Sequence, residues 1–318
     1  MEGYDTRNCL LTHGNITSLT NSIELIRTGS FSQSPELLSR LQDLNKAGIN
    51  FTFPDEETIH LSEFLSSKGI KKRSQWLNKA LLADERTILL CLRGGYGASD
   101  LISLIPYGKL DTSPPKLVVG FSDVSAIQMA LYTKLKWPSL HAPMPGTAYW
   151  GQSGHEDIEQ LINLLKGSLK KGSVSIHNKT HLPNPDDSLT GTLVGGCLSV
   201  LTNLIGTPYL PTNLKGHILF LEDINEPPEK VYRYLNQWLH SGLLEGVIAI
   251  VLGHFSFSNP ENIFNMIRDR MSPIPIFHSP DFGHCSPNFP LGLGSLATIK
   301  GKKLNWEWMP HMMPIHLL

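Results

Sequence analysis

Lys116-Leu117-Val118-Val119-Gly120-Phe121-Ser122-Asp123-Val124 is the stretch on which the reading of the fold turns. Lys116 to Val119 (KLVV) reads as a buried strand. Gly120 permits a tight turn. Asp123 to Lys136 then reads as a helix with Val124, Ile127, Leu131 and Leu135 in register. A serine therefore stands at the junction of a strand and a helix. This is the physical logic of a nucleophile elbow: the turn lifts the hydroxyl clear of the sheet, and the helix start offers free N–H groups and positive potential to an oxyanion. The pattern is not G-x-S-x-G, since Asp123 and Ser125 follow the serine. A second reading leaves Ser122 or Asp123 as a helix cap.

Upstream, the strand–helix alternation continues. Pro35 to Ala47 opens on proline and closes on Gly48, the punctuation of a helix, and Ile49 to Phe53 reads as a strand. Arg73 to Ala83 is helix-like, with Trp76, Leu77, Ala80 and Leu81 on one face. Thr87 to Leu92 (TILLCL) is a continuous apolar run, a strand covered on both sides. It feeds directly into Arg93-Gly94-Gly95-Tyr96-Gly97 and then a helix at Ala98 to Ile105. Alternation of this kind predicts a mainly parallel sheet. Three glycines after a buried strand let the backbone approach a ligand closely or aim N–H groups into a cavity. The loop is not G-x-G-x-x-G and lacks the Lys-Ser/Thr of a phosphate loop, so a nucleotide-binding reading fits worst. Two such loops open at one carboxyl edge, where α/β sheets bind ligands.

Downstream, regularity weakens from Pro138 to Thr190, with one helix expected at Glu156 to Leu165. It resumes at Gly191 with strands at Ile218 to Leu221, Val247 to Leu252 and Ile274 to Phe277. Helices are expected at Pro228 to His240 and Glu261 to Met271, and a closing hairpin around Gly301. The division expected is residues 1–150, a linker at 151–190, and residues 191–318. Glu222 and Asp223 end a strand before a proline turn, where a carboxylate can orient a histidine, or where it can merely cap a turn. His284 lies in Asp281-Phe282-Gly283-His284-Cys285-Ser286-Pro287-Asn288, a turn-rich segment just past a strand.

The bulk properties exclude several classes. The chain has 318 residues, 41% of them hydrophobic and 17% charged, enough to build a buried core. A net charge of -1 with scattered Lys and Arg leaves no footprint for nucleic acid or an anionic membrane. Cys9, Cys91, Cys197 and Cys285 form no C-x-x-C pair and read as reduced thiols of a cytoplasmic protein. No leader or membrane-length apolar run is evident. No H-E-x-x-H or similar spacing implies a metal, and no cofactor is expected.

With these segments in view, the chain resembles the LD-carboxypeptidase family of serine peptidases, which trim murein tetrapeptides or inactivate microcin C-type antibiotics. The resemblance rests on Arg73 with Trp76-Leu77 and Ala80-Leu81, on Cys91 to Gly97 against RGGYG, and on Lys116 to Asp123 against G-[YF]-S-D. His141-Ala142-Pro143-Met144 is similar to HGPM, and Gly191 to Gly206 resembles a G-x-x-x-GG-x-L-S-x-L stretch. Ile218 to Ile224 matches LFLED-I, and Phe282 to Asn288 matches GH-x-x-PN. It implies a flavodoxin-like or amidotransferase-like first domain and a smaller α/β second domain with a curved, partly barrel-like sheet. It further implies a triad of Ser122 as nucleophile, His284 as base and Glu222 as its orienting group. Backbone N–H groups of Asp123 and Gly95 would form the oxyanion hole. Arg93, Gly94, Tyr96 and Arg233 are candidates for holding substrate, and a homodimer is implied. The first strand and its Ala-Pro-Ser loop are replaced here by Leu10 to Asn15. Murein tetrapeptide is the expected substrate. The alternatives are an immunity-type hydrolase of peptidyl or aminoacyl nucleotides and a non-catalytic muropeptide-binding protein. A glutamine amidotransferase would need cysteine where Ser122 stands.

Overall fold

A computed structural model describes residues 23–29, 35–52, 59, 61–84, 88–150, 155–178, 188–256 and 260–309. Its strands are β1 (Ile23–Ile26), β2 (Phe51–Thr52), β3 (Ile88–Cys91), β4 (Leu117–Gly120), β5 (Ser139–His141), β6 (Lys171–Ser175) and β7 (His177–Asn178). They continue as β8 (Leu189–Cys197), β9 (His217–Asp223), β10 (Ala249–Phe255), β11 (Ile276–His278), β12 (Leu291–Leu293), β13 (Leu296–Lys300) and β14 (Lys303–Glu307).

The first sheet runs β12-β5-β4-β3-β1-β2. Its five parallel strands have the flavodoxin order 2-1-3-4-5. Every residue of β3 and β4 is buried, as their unbroken apolar sequences require. β12 comes back from the far end of the chain and pairs antiparallel with β5. The second sheet runs β6-β14-β13-β8-β9-β10-β11-β7. Its parallel centre, β8 to β11, is flanked by antiparallel strands. The sheet is mixed and open, ending at β6 and β7 rather than closing into a barrel.

Several elements differ from their sequence reading. Leu10 to Asn15 lie outside the described residues, and the first strand found is Ile23–Ile26, followed by Arg27-Thr28-Gly29. The helix expected from Arg73 spans Ser67–Leu82, because Ser66 caps it by accepting from the Gly69 N–H at 3.1 Å. Ala98 to Ile105 forms two 3-10 turns, closed by i to i+3 bonds from Leu101 N–H to Ala98 O and Leu104 N–H to Leu101 O. The stretch read as a linker carries the expected helix, Glu156–Leu165, and also β6 and β7 of the second sheet. The helix after the elbow, Ser125–Leu135, is buried continuously from Ser125 to Tyr132 rather than along one face. It is covered on both sides because β8 and the helix Leu198–Thr202 pack on the face that the first sheet leaves open, and its buried polar groups, Ser125 and Gln128, are hydrogen-bonded. At that contact Ser125 Oγ accepts from the Cys197 N–H at the end of β8, 3.1 Å away.

Candidate active site

β4 delivers Phe121 in extended conformation, and Ser122 follows at φ 64°. A left-handed conformation in a residue with a Cβ costs about 1–3 kcal/mol and persists only where the surroundings enforce it. Two polar anchors do so. The buried Gln128 amide donates to Gly120 O at 2.9 Å and Leu140 O at 3.0 Å, fixing the strand ends under the elbow. Asp123 accepts from the Ala98 N–H at 2.9 Å, tying the elbow to the glycine loop. Burial pushes the Asp123 carboxyl up to about 6, against the pull of that N–H.

The glycine loop is held from beneath by Arg73, which is buried and donates to Gly97 O at 2.7 Å and Thr28 O at 3.2 Å while pairing with Asp100 at 2.9 Å. Its guanidinium also stacks 4.0 Å from the Phe64 ring. Gly94 is the closest point of approach. A Cβ there would lie 3.0 Å from Ser122 Cβ, 3.2 Å from Ser122 Oγ and 3.3 Å from Asp123 N, so a side chain would press on the candidate nucleophile. Gly95 and Tyr96 are exposed at the loop's tip, and Arg93 is half-buried at its base. Tyr96 leans edge-on against Phe64 at 5.8 Å.

The second sheet supplies the other side. Successive residues of β9 point to opposite faces, which separates the two carboxylates that the sequence leaves adjacent. Asp223 caps the helix Leu198–Thr202, accepting from Ser199 N–H at 2.7 Å and from Ile224 N–H at 2.9 Å. Glu222, fully buried, accepts instead from His284 Nδ1 at 2.6 Å. Gly283, at φ 106°, lets the histidine loop sit on that side chain: a Cβ there would fall 2.9 Å from Glu222 Cβ. The loop is braced from the Glu156–Leu165 helix. Asp157 accepts from Asn288 N–H at 2.8 Å, and Asn288 Oδ1 accepts from Gly283 N–H at 2.9 Å.

Burial alone would raise the Glu222 carboxyl, but the imidazoles of His284 and, to a lesser degree, His141 override that and hold it at about 2. For His284 burial works downward, and the Glu222 charge prevails to leave it above its ordinary 6.5. The geometry is that of a carboxylate fixing the Nδ1–H tautomer of a base whose Nε2 is then free to take a proton.

The elbow and the histidine loop meet at Phe121, whose ring lies 4.8 Å from the His284 ring, with Tyr149 edge-on at 5.4 Å. Ser122, Asp123, Gly94, Glu222 and His284 are thus gathered in one place. Among the described residues no hydrogen bond joins Ser122 Oγ to His284, a contact that often tightens only around substrate. Arg233 is exposed on the helix Pro228–His240, and among the described residues no hydrogen bond or ion pair joins it to this group. Sequence reasoning assigned no role to Phe121, Tyr149, Asp157 or His141, which the fold brings to the site from four segments. Among the described residues no group of three or more His, Cys, Asp or Glu is arranged to hold a metal ion, and no helix is long and apolar enough to cross a membrane.

Comparison with known proteins agrees with this architecture. Residues 23–142 match the LD-carboxypeptidase N-terminal domain and residues 190–299 the LD-carboxypeptidase C-terminal domain. The chain is 32% identical to a putative carboxypeptidase of Streptomyces coelicolor over 200 residues, which span 62% of this chain and 63% of that one. It is 27% identical over 300 residues to the murein tetrapeptide carboxypeptidase of Pseudomonas aeruginosa, covering 89% of this chain and 94% of the relative. Among solved structures, an MccF-like protein from Bacillus anthracis superposes with a TM-score of 0.78 at 25% identity, over 91% of this chain and 97% of that one. The chain belongs to the LD-carboxypeptidase family of peptidases.

Proposed function

We propose that the protein is a serine carboxypeptidase that removes the C-terminal D-alanine from murein tetrapeptide by cutting an L,D amide bond. The observation that carries this reading is the 2.6 Å pair between His284 Nδ1 and buried Glu222, in a loop packed by His284 against Phe121 of the serine elbow. A serine hydroxyl is a weak nucleophile at neutral pH and needs such a base, held in one tautomer. In the proposed reaction Ser122 Oγ attacks the carbonyl carbon and passes its proton to His284 Nε2. The oxyanion is received by the N–H groups of Asp123 and Gly95. His284 then returns the proton to the leaving amine of D-alanine, and water, activated by the same imidazole, hydrolyses the acyl-serine. Arg93, Gly94, Tyr96 and Arg233 are the groups we propose for holding the peptide, the arginines for its terminal carboxylate. On the family resemblance we read the protein as a cytoplasmic homodimer.

The murein reading is supported by the relative from Pseudomonas aeruginosa, similar over nearly its whole length. A second reading, an immunity-type hydrolase acting on peptidyl or aminoacyl nucleotides, is supported by the MccF-like structure. Mass spectrometry of murein tetrapeptide incubated with wild-type and Ser122→Ala protein tests both. Loss of one D-alanine with wild type alone is expected, the variant being slower by about 10⁴-fold or more. Loss with both would remove Ser122 from the mechanism. Loss with neither would exclude the murein substrate and leave the nucleotide conjugates, or plain muropeptide binding, to be assayed.

A further inference from the structure

Glu222 has two carboxylate oxygens, and His284 engages only one. Oε2 accepts from His284 Nδ1, while Oε1 is buried and, among the described residues, has no hydrogen-bond partner. The ring atom facing it is His141 Nε2, 3.5 Å away. His141 is itself fully buried and, among the described residues, neither of its ring nitrogens has a hydrogen-bond partner. Its surroundings are otherwise aromatic: Phe220 at 5.3 Å, Phe121 at 5.6 Å and Phe282 at 6.2 Å between ring centroids. A buried imidazole without partners is costly, and so is a buried carboxylate oxygen without a donor. Here the two face one another, and a shift of about half an ångström closes the gap to a hydrogen bond. His141 ends β5 in register with Gly120 of β4, so the strand order of the first sheet carries it to the carboxylate of the second.

We propose that His141, as its Nε2–H tautomer, is a positioning residue that donates to Glu222 Oε1 and so makes the orienting group of the triad a carboxylate clamped between two imidazoles. This rests on the assignment of Glu222 and His284 made above. His141 touches no substrate atom. It acts by fixing the carboxylate's rotation and by sharing its charge, so that His284 does not have to balance a buried anion alone.

The other ionisable groups nearby do not duplicate this role. Asp223 lies on the opposite face of β9 and caps a helix. Burial raises the thiols of Cys197 and Cys285 and the hydroxyl of Tyr149, keeping all three neutral at physiological pH. His254 is pushed down by burial, against the Glu222 charge.

The test compares His141→Met, which fills the space without a donor, with His141→Gln, which keeps an N–H at similar reach. Each is assayed on murein tetrapeptide across pH, with thermal unfolding followed in parallel and Ser122→Ala as control. His141→Met is expected to lower kcat by roughly tenfold to a hundredfold with KM little changed. Its acidic limb of kcat/KM should move to higher pH, because Glu222 then leans on His284 alone, and His141→Gln should restore both features. An unmoved limb and kcat in a folded His141→Met protein would overturn the proposal. So would equal losses in both variants that merely track lower thermal stability. If Ser122→Ala proves active, the triad assignment itself has failed. To separate that case, nitrogen NMR of labelled histidines is read without substrate: a protonated Nε2 on His141 is expected, and a protonated Nδ1 overturns the inference independently of activity.

Discussion

Ser122 and Glu222 both stand at the carboxyl ends of parallel strands, β4 and β9, yet the protein holds them by different means. On the first sheet, position is enforced through the backbone. Ser122 occupies a left-handed conformation, Gln128 pins the strand ends beneath it, and Gly94 closes over it so tightly that a methyl group there would press on the serine. On the second sheet, position is enforced through charge. Glu222 is buried and ionised, and the groups that face it are imidazoles. A nucleophile needs a fixed trajectory, which stiff backbone provides. A base must gain and lose a proton in each cycle, which calls for a counter-charge with little freedom to reorganise. The two sides should therefore fail in different ways.

The largest effect is expected at the charge. Glu222→Gln should lower kcat on the tetrapeptide by about 10²–10⁴-fold. In the wild type the Glu222 charge raises His284 above 6.5, so the acidic limb of kcat/KM should stand above that pH. Without that charge burial is opposed only by the weaker pull of Asp223, and the limb should move to lower pH. A limb that stays put in the variant would show that Glu222 does not set the base. The sign for stability follows from the same shifts. The lowered carboxyl stabilises the fold above its ordinary 4.5, and this contribution is lost as pH falls toward about 2. The raised imidazole contributes below 6.5 and ceases to contribute as pH rises through its folded value. Acid unfolding of Glu222→Gln should accordingly lack the component between those carboxyl values.

A steric change on the first sheet should act without any pH signature. Gly94→Ala places a methyl 3.2 Å from Ser122 Oγ, tighter than an ordinary contact, and kcat/KM should drop by roughly tenfold to a hundredfold while the limb stays where it is. A shifted limb would mean that the two sides are not separable in this way. The smallest effect on turnover is expected where the sheets touch. Ser125→Ala leaves the buried Cys197 N–H unpaired and should cost about 1–3 kcal/mol of stability, seen in denaturant unfolding, with activity changed less than twofold to threefold. A large activity loss there would make the sheet contact part of the site's alignment rather than of its support.

The elements that carry these groups were legible in the sequence where the signal is local. A buried apolar run followed by glycine and serine announces the elbow, and the glycine loop is plain for the same reason. Glu222 and His284 stand in short segments whose type and order are informative; the residues alone leave Glu222 and Asp223 equivalent, the family resemblance picks Glu222, and the pleat of β9 gives the physical reason the two part. What stayed hidden is non-local. β6, Lys171-Gly172-Ser173-Val174-Ser175, has little strand character of its own and is a strand because β14 pairs with it. β1 is only four residues long and stands among polar residues, so nothing near it marks the first strand. The 3-10 turns after the glycine loop sit where Arg73 draws Asp100 inward, an ion pair spanning twenty-seven positions. His141 shows the limit best: its sequence neighbours give it no partner, and the carboxylate it faces comes from another sheet.

β12 has a consequence for synthesis of the chain on the ribosome. The first sheet receives its last strand from residues 291–293, although its other five strands are complete by residue 141. While the intervening chain is being made, β5 is an open edge, with its hydrogen-bonding groups available to other chains. The segment that closes this edge follows directly after the histidine loop. A nascent molecule thus seals its first sheet only once the loop bearing its candidate base has been made, so edge protection and completion of the site arrive together.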